Sequence, residues 1–204
     1  MALFKKRIAG EIGYYNLEEW WLNEFDDKER RVILKTFTQM GSEDDSLIKG
    51  QISYTSRSKL KFLSILASSF MKPETFQIAK KTIIKAEEYV PETEKVLDVH
   101  FFYHNKIKIF YRNRETEAHA LEKAIEACEQ QISISEQAAN GFKMEFWDSL
   151  PLHIGYEQLA IIKEKQKDYR SVIKISEKAL KEGWGGDWER RIERAKEKIE
   201  KEDK

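Results

Sequence analysis

The sequence predicts an all-α protein, and three observations carry that prediction. Nine Gly and three Pro in 204 residues are too few for a fold of many tight turns, while Lys, Glu, Ile, Leu and Ala, all compatible with helix, dominate. Apolar residues recur at three- and four-residue intervals over most of the chain. These periodic stretches come in pairs separated by short polar breaks. A hydrophobic content of 41% is enough to build a core. The 36 basic residues cancel the 36 acidic ones, so no net field draws the chain to nucleic acid or anionic lipid, and binding to either is not expected. A single cysteine, Cys128, cannot form an internal disulfide and fits a reducing compartment, so a cytoplasmic location is expected. The opening MALFKKRIAGEIGYY lacks the apolar run of a secretory leader, and no run of 18 apolar residues occurs, so neither export nor a membrane span is expected.

The elements follow in order. Asn16 and Glu19, three apart, resemble a helix start, and Leu17, Trp20, Trp21 and Phe25 supply an apolar face, predicting a helix over 17–25. Asp26 and Glu29 repeat the capping pattern ahead of a second helix, which Gly41 is placed to end. Residues 41–56 are polar and turn-rich and read as a linker, in which Gln51-Ile52-Ser53-Tyr54-Thr55 could form an isolated extended piece. This divides the chain into an N-terminal helical region with its linker (1–56) and a helical domain (57–204) whose last helix spans 187–201.

Within that domain, His153 to Gly186 places Tyr156, Leu159, Ala160, Tyr169, Val172 and Ala179 at the spacings of two short antiparallel helices meeting through small residues. Leu63, Leu66, Ala67, Phe70, Phe76, Ala79, Ile83 and Ala86 occupy corresponding positions in Leu60 to Thr93, with Pro73 in the first turn of the second helix and Pro91 at its end. Between them, 94–113 reads as a long apolar helix and 116–132 as its partner, carrying Ala120, Ala124 and Ala127. The alternation Lys106-Ile107-Lys108-Ile109 is read as helical because of its flanks. That leaves an insertion near 133–151. After the break at Gly183-Trp184-Gly185-Gly186, Asp187 can cap a helix in which Trp188, Ile192, Ala195 and Ile199 form one narrow stripe.

This pattern resembles the tetratricopeptide repeat, with two clear copies, a degenerate middle copy and residues 1–56 outside the match. The resemblance implies a right-handed solenoid of antiparallel helix pairs with a C-terminal capping helix. It implies a concave groove, lined by the first helix of each pair, that binds protein segments, and it implies no catalytic activity. The template places Ser64, Ser68 and Lys72 in that groove from the first repeat. Asn105, Ile109 and Arg112 come from the middle repeat, and Glu157, Ile161, Glu164 and Lys165 from the last. Ile154 and Gln158 stand where family members that clamp a C-terminal carboxylate carry basic residues, so that ligand is not expected.

Other candidate chemistry has a plainer account. His100 and His104, four apart on a helix, could supply two metal ligands, but no carboxylate lies between them and no His-Cys cluster follows, so both read as packing or groove residues and no metal is expected. Cys128 with His119 and His153 could be arranged as nucleophile and base, yet an alanine-rich helix suits a buried thiol. No phosphate loop or serine elbow occurs, so neither an enzyme nor a cofactor is expected. In Tyr14-Tyr15 and Trp20-Trp21 one member of each pair should pack inward and leave the other as a possible partner or dimer contact. The expected function is therefore that of a non-enzymatic adaptor or regulator binding a protein or peptide. The alternatives are a small-molecule or nucleic-acid-binding regulator using Tyr103, Lys106, Lys108, Tyr111 and Arg112, and a self-associating structural protein.

Overall fold

The structure is a computed structural model that describes residues 8–39, 46–145 and 149–202. Eleven α-helices lie among them, so the chain is mostly helical. The N-terminal region holds α1 (Gly10–Tyr14), α2 (Glu18–Glu24) and α3 (Asp27–Gln39). At the start of α3, Asp26 Oδ1 accepts from the Glu29 N–H at 2.8 Å and Glu29 Oε2 accepts from the Asp26 N–H at 3.0 Å. This reciprocal cap is the one the spacing predicts, and such caps are worth about 1 kcal/mol. The start of α2 differs from the expectation: Asn16 sits at φ +54° and Leu17 takes the cap position without a side-chain bond. Asparagine is spent there on a left-handed turn that lets the chain leave α1, a conformation its short polar side chain tolerates.

Residues 46–50 fold back on α1. The N–H groups of Ala9, Gly10, Glu11 and Ile12 donate to the carbonyls of Ile48, Gly50, Ser46 and Leu47, and Leu47 is fully buried. Gly10 has φ +59°, and a Cβ there would lie 2.3 Å from the Ser46 carbonyl oxygen, so both conformation and space require glycine. Gln51 to Thr55 form no strand, and Gly41 lies outside the described residues.

Three helix pairs follow. The first is α4 (Lys59–Ser68) with α5 (Phe76–Glu87), which Pro73 introduces through a 3₁₀ turn. The second is α6 (Val96–Arg112) with α7 (Ala120–Ser133), and the third is α9 (Ile154–Lys165) with α10 (Tyr169–Glu182). Besides these partners, α4 packs on α6, α7 packs on α9, and α11 (Trp188–Glu202) packs on α10. Ala67, Ala79, Ala86, Ala124, Ala127, Ala160 and Ala179 are wholly buried at these crossings, where a methyl group lets backbones approach. The largest core runs from Ile12, Trp21 and Phe25 through Leu63, Phe76 and Phe102 to Ala124 without a break, so the N-terminal helices share it with the first two pairs.

Two details depart from the sequence reading. Helix α7 begins at Ala120, not near 116, because 113–119 turn back and end on His119 in the left-handed region at φ +62°. The insertion contains a helix, α8 (Ser135–Glu145), whose Ala138, Ala139 and Phe142 are buried. Beyond it Leu150–Leu152 (β1) pairs in parallel with Trp184–Gly185 (β2), joining the segments before α9 and after α10.

The close approach of α6 and α7 is testable. Ala124→Leu is expected to cost about 1–3 kcal/mol through overpacking, read as a lower urea midpoint, whereas the same change at exposed Ala118 should leave the midpoint unmoved. Equal midpoints for the two variants would contradict this packing.

Candidate interaction face

Helices α4 and α6 are joined along their length by polar links rather than by apolar contact alone. At one end buried Asp98 accepts from Ser58 Oγ at 2.7 Å and pairs with Lys61 Nζ at 3.4 Å, while Ser58 Oγ caps α4 by accepting from the Lys61 N–H at 3.1 Å. In the middle Asn105 Nδ2 donates to Ser64 Oγ at 2.9 Å. At the other end Asn113 Nδ2 donates to the carbonyls of Met71 at 3.1 Å and Ile109 at 2.8 Å. Positions 98, 105 and 113 recur every two turns, so one stripe of α6 faces α4.

The solvent-facing stripes of α4, α6 and α9 lie away from α5, α7 and α10, which cover their other sides. On α6 the stripe is Phe101, Lys108 and Arg112, all exposed, with His104, Asn105 and Tyr111 half-buried between them. On α4 it is Ile65 and Ser68, half-buried, followed by exposed Lys72; on α9 it is Glu157, Ile161 and Glu164, half-buried, and exposed Lys165. Between α6 and α9 the Tyr111 hydroxyl accepts from Lys165 Nζ at 3.1 Å, and the Arg114 guanidinium lies 4.1 Å from the Tyr111 ring centre. These three side chains with Leu121 and Ile162 line a cavity of about 170 Å³.

Not every residue anticipated for this face is on it. Ile109 is fully buried in the core and Ser64 is covered by Asn105. Ser68 Oγ donates to its own helix at the Ile65 carbonyl, and Glu164 pairs with Arg191 of α11 at 3.2 Å. Lys72, Arg112, Glu157, Ile161 and Lys165 remain available. Of the basic and aromatic set on α6, Tyr103 is buried, and Lys106 is only 2% exposed and held by Glu87 of α5 at 2.6 Å. Lys108, Tyr111 and Arg112 alone of that set reach the surface. Trp21 is core, while Trp20 is half-buried against Phe25 at 5.0 Å and lines a groove of about 590 Å³ with Leu17, Lys81 and Ile84. Tyr15 likewise turns inward, stacked on Phe62 at 4.9 Å, and Tyr14 outward.

Beneath the face lies a closed cage that the sequence reading missed. His100 of α6 and His153, which caps α9, are buried with ring centres 5.0 Å apart; Trp184 stacks on His100 at 5.7 Å and meets His153 edge-on at 4.6 Å, and Phe142 of α8 abuts His100 at 5.3 Å. Gln131 of α7 joins the elements: its Nε2 donates to the His100 carbonyl at 2.9 Å and its Oε1 accepts from the Gly155 N–H at 2.7 Å. A Cβ on Gly155 would lie 2.8 Å from that oxygen, so glycine is needed for the approach. His153 Nδ1 accepts from the Tyr156 N–H at 3.3 Å, which places the proton of the neutral ring on Nε2. That nitrogen and His100 Nδ1 are buried without a hydrogen-bond partner among the described residues. The one available signal was Gln131 itself, an amide on the apolar stripe of α7 between Cys128 and Ile132.

Burial pushes His100 down to about 4 and His153 down to about 3, and His104, the neighbour four residues along α6, is lowered to about 4 mainly by burial. The Cys128 thiol is pushed up to about 12 by burial and packs as an apolar group. Among the described residues no three His, Cys, Asp or Glu side chains gather as a metal site.

A folded-state histidine pKa below the unfolded value of 6.5 contributes stability that is full above pH 6.5 and is lost as the pH falls toward the folded values. Each ring then contributes roughly 1.4 kcal/mol per pH unit within that window. Chemical denaturation of the protein between pH 7 and 4.5 is expected to show this loss, and His100→Phe to remove about one proton's worth of the slope; an unchanged slope would contradict the buried neutral ring.

Comparison with family models, with curated proteins and with solved structures returns no match to this chain.

Proposed function

We propose that the chain is a non-enzymatic adaptor of the tetratricopeptide kind, which docks a protein segment across the first helices of its three pairs. On this reading α4/α5, α6/α7 and α9/α10 are successive repeats of a right-handed array, and α11 is its lid: Trp188, Ile192 and Ala195 face inward and the other sides are charged. The observation that carries the reading is the continuity of the face. Each first helix touches the next or its partner, and the polar links between α4 and α6 hold them at a fixed spacing. A rigid row of helices presenting Ile65, Phe101 (41% exposed) and Ile161 offers apolar contact without a rearrangement of the backbone. What supports occlusion of a partner rather than turnover is that the buried histidines and Cys128 are engaged in packing and a helix cap, while Lys72, Lys108 and Arg112 are exposed on the face.

A photo-activated cross-linking residue in place of Ile161 tests this. It is expected to capture a protein from native lysate that the same residue in place of Lys178, on the outer side of α10, does not capture. Equal capture at both positions, or none at Ile161, would remove the groove assignment.

A further inference from the structure

The face carries an excess of positive charge although the whole chain has a net charge of zero. Lys72, Lys108 and Arg112 make no ion pair with any described carboxylate, and Lys165 is bonded only to the Tyr111 hydroxyl. Against these four cations Glu157 is, among the described residues that line the face, the one carboxylate without an ion-pair partner, because Glu164 is held by Arg191, Glu115 by Arg114 and Asp98 by Lys61. With 36 basic and 36 acidic residues overall, this local excess is balanced elsewhere: the surface of α7 carries Glu122, Glu126 and Glu129 with Lys123.

The cations are not scattered. Lys108 and Arg112 are one turn apart on α6; Lys72 follows Met71, whose carbonyl is bonded to Asn113 at the end of α6; Lys165 meets Tyr111. They therefore gather where α4, α6 and α9 end, next to three sets of terminal helix carbonyls. Arg112 and Lys165 stand in the last turns of α6 and α9, where part of their charge answers the negative helix end, yet an exposed lysine or arginine retains a full charge for a partner in solution. Toward the other end the face becomes apolar and aromatic, with Ile65, Phe101 and His104. Phe101 there meets Phe142 of α8 at 5.8 Å.

We infer that this face takes an acidic, partly apolar protein segment, whose carboxylates lie against Lys72, Lys108, Arg112 and Lys165 and whose apolar side chains lie against Ile65, Phe101 and Ile161. The inference rests on the groove reading above and adds the chemistry of the occupant. Charge complementarity of this kind sets which partner docks and how fast it arrives. A nucleic-acid strand fits less well: affinity for a phosphate backbone grows with the number of neutralised phosphates, and here four cations are interleaved with isoleucines and a glutamate.

Fluorescence anisotropy of the full chain with fluorescein-labelled random 12-residue peptide pools tests it. One pool combines Asp and Glu with Leu, Phe and Ser; a second substitutes Asn and Gln for the acids; a third substitutes Lys and Arg; 12-nucleotide oligouridylate is the fourth titrant. The acidic pool is expected to bind at least tenfold tighter than the others. Lys108→Glu with Arg112→Glu should weaken it at least tenfold, and raising the salt from about 50 to 500 mM should weaken it as well, since exposed charges are screened over that range. Both substitutions are at exposed positions, and an unchanged thermal midpoint shows that the variant is folded. Binding of the acidic pool no tighter than the neutral pool, indifference to the charge reversal, or tighter binding of oligouridylate would overturn the inference. Ile65→Asp with Ile161→Asp separates the two levels. If neutral peptides bind and are lost in this variant, the groove stands and the acidic occupant is wrong; if no pool responds to it, both fall.

Discussion

One amide side chain fixes how the second and third helix pairs meet. Gln131 is fully buried on α7, and its two ends hold the His100 carbonyl of α6 and the Gly155 N–H of α9. A buried amide left unpaired is costly, so α6, α7 and α9 can meet only in the arrangement that satisfies both ends. The same bond satisfies one of the free N–H groups at the start of α9, that of Gly155, and His153 Nδ1 accepts from the next, that of Tyr156. The helix thus starts where its neighbours allow it to, and every residue it presents to the face inherits that position.

The link between α4 and α6 follows the same logic with different groups. Asp98, Asn105 and Asn113 are polar residues at helical spacing along α6 and its cap, and each is answered from α4, its N-cap Ser58 or the segment just after it. Apolar contact alone would permit sliding along the helix axis; three hydrogen-bonded positions forbid it. Asparagine 105 shows why residue type is a poor guide to role here: its side chain has the chemistry of a ligand contact, but its donor is spent on Ser64. What remains exposed is the next stripe round, where Lys108 and Arg112 stand.

The insertion closes the cage on the other side. Helix α8 brings Phe142 onto His100, and the short pairing of Leu150 with Trp184 brings the indole onto both histidines. Burial there disfavours the charged imidazoles, so the region where the insertion joins the helix pairs is sensitive to protonation. The exposed face and the cage share α6, whose successive residues Phe101 and His100 point onto the one and into the other.

Much of this was legible in the sequence, and the parts that were have local causes. The capping box at Asp26 and Glu29, the stop at Gly183 with φ +84°, the proline-led turn before α5 and the burial of alanines at periodic positions all depend on residues within a few places of one another. For the same reason the helix pairs could be anticipated, and so could the inward turn of one member of each aromatic doublet, though not that it would be Trp21 and Tyr15. Ile109, Lys106 and Asn105 could not be placed, because whether a helical residue faces a groove, a core or a carboxylate depends on which helix lies beside it, and nothing within a few residues records that. Nor could α8 or the pairing of Gln131 with Gly155, whose partners lie 24 residues apart. The sequence by itself determined where helices begin, end and carry apolar stripes, since those are short-range preferences of backbone and side chain. Only the tertiary structure decided which polar groups are consumed in joining helices and which are left exposed to solvent, since a hydrogen bond between two helices exists only once both are in place.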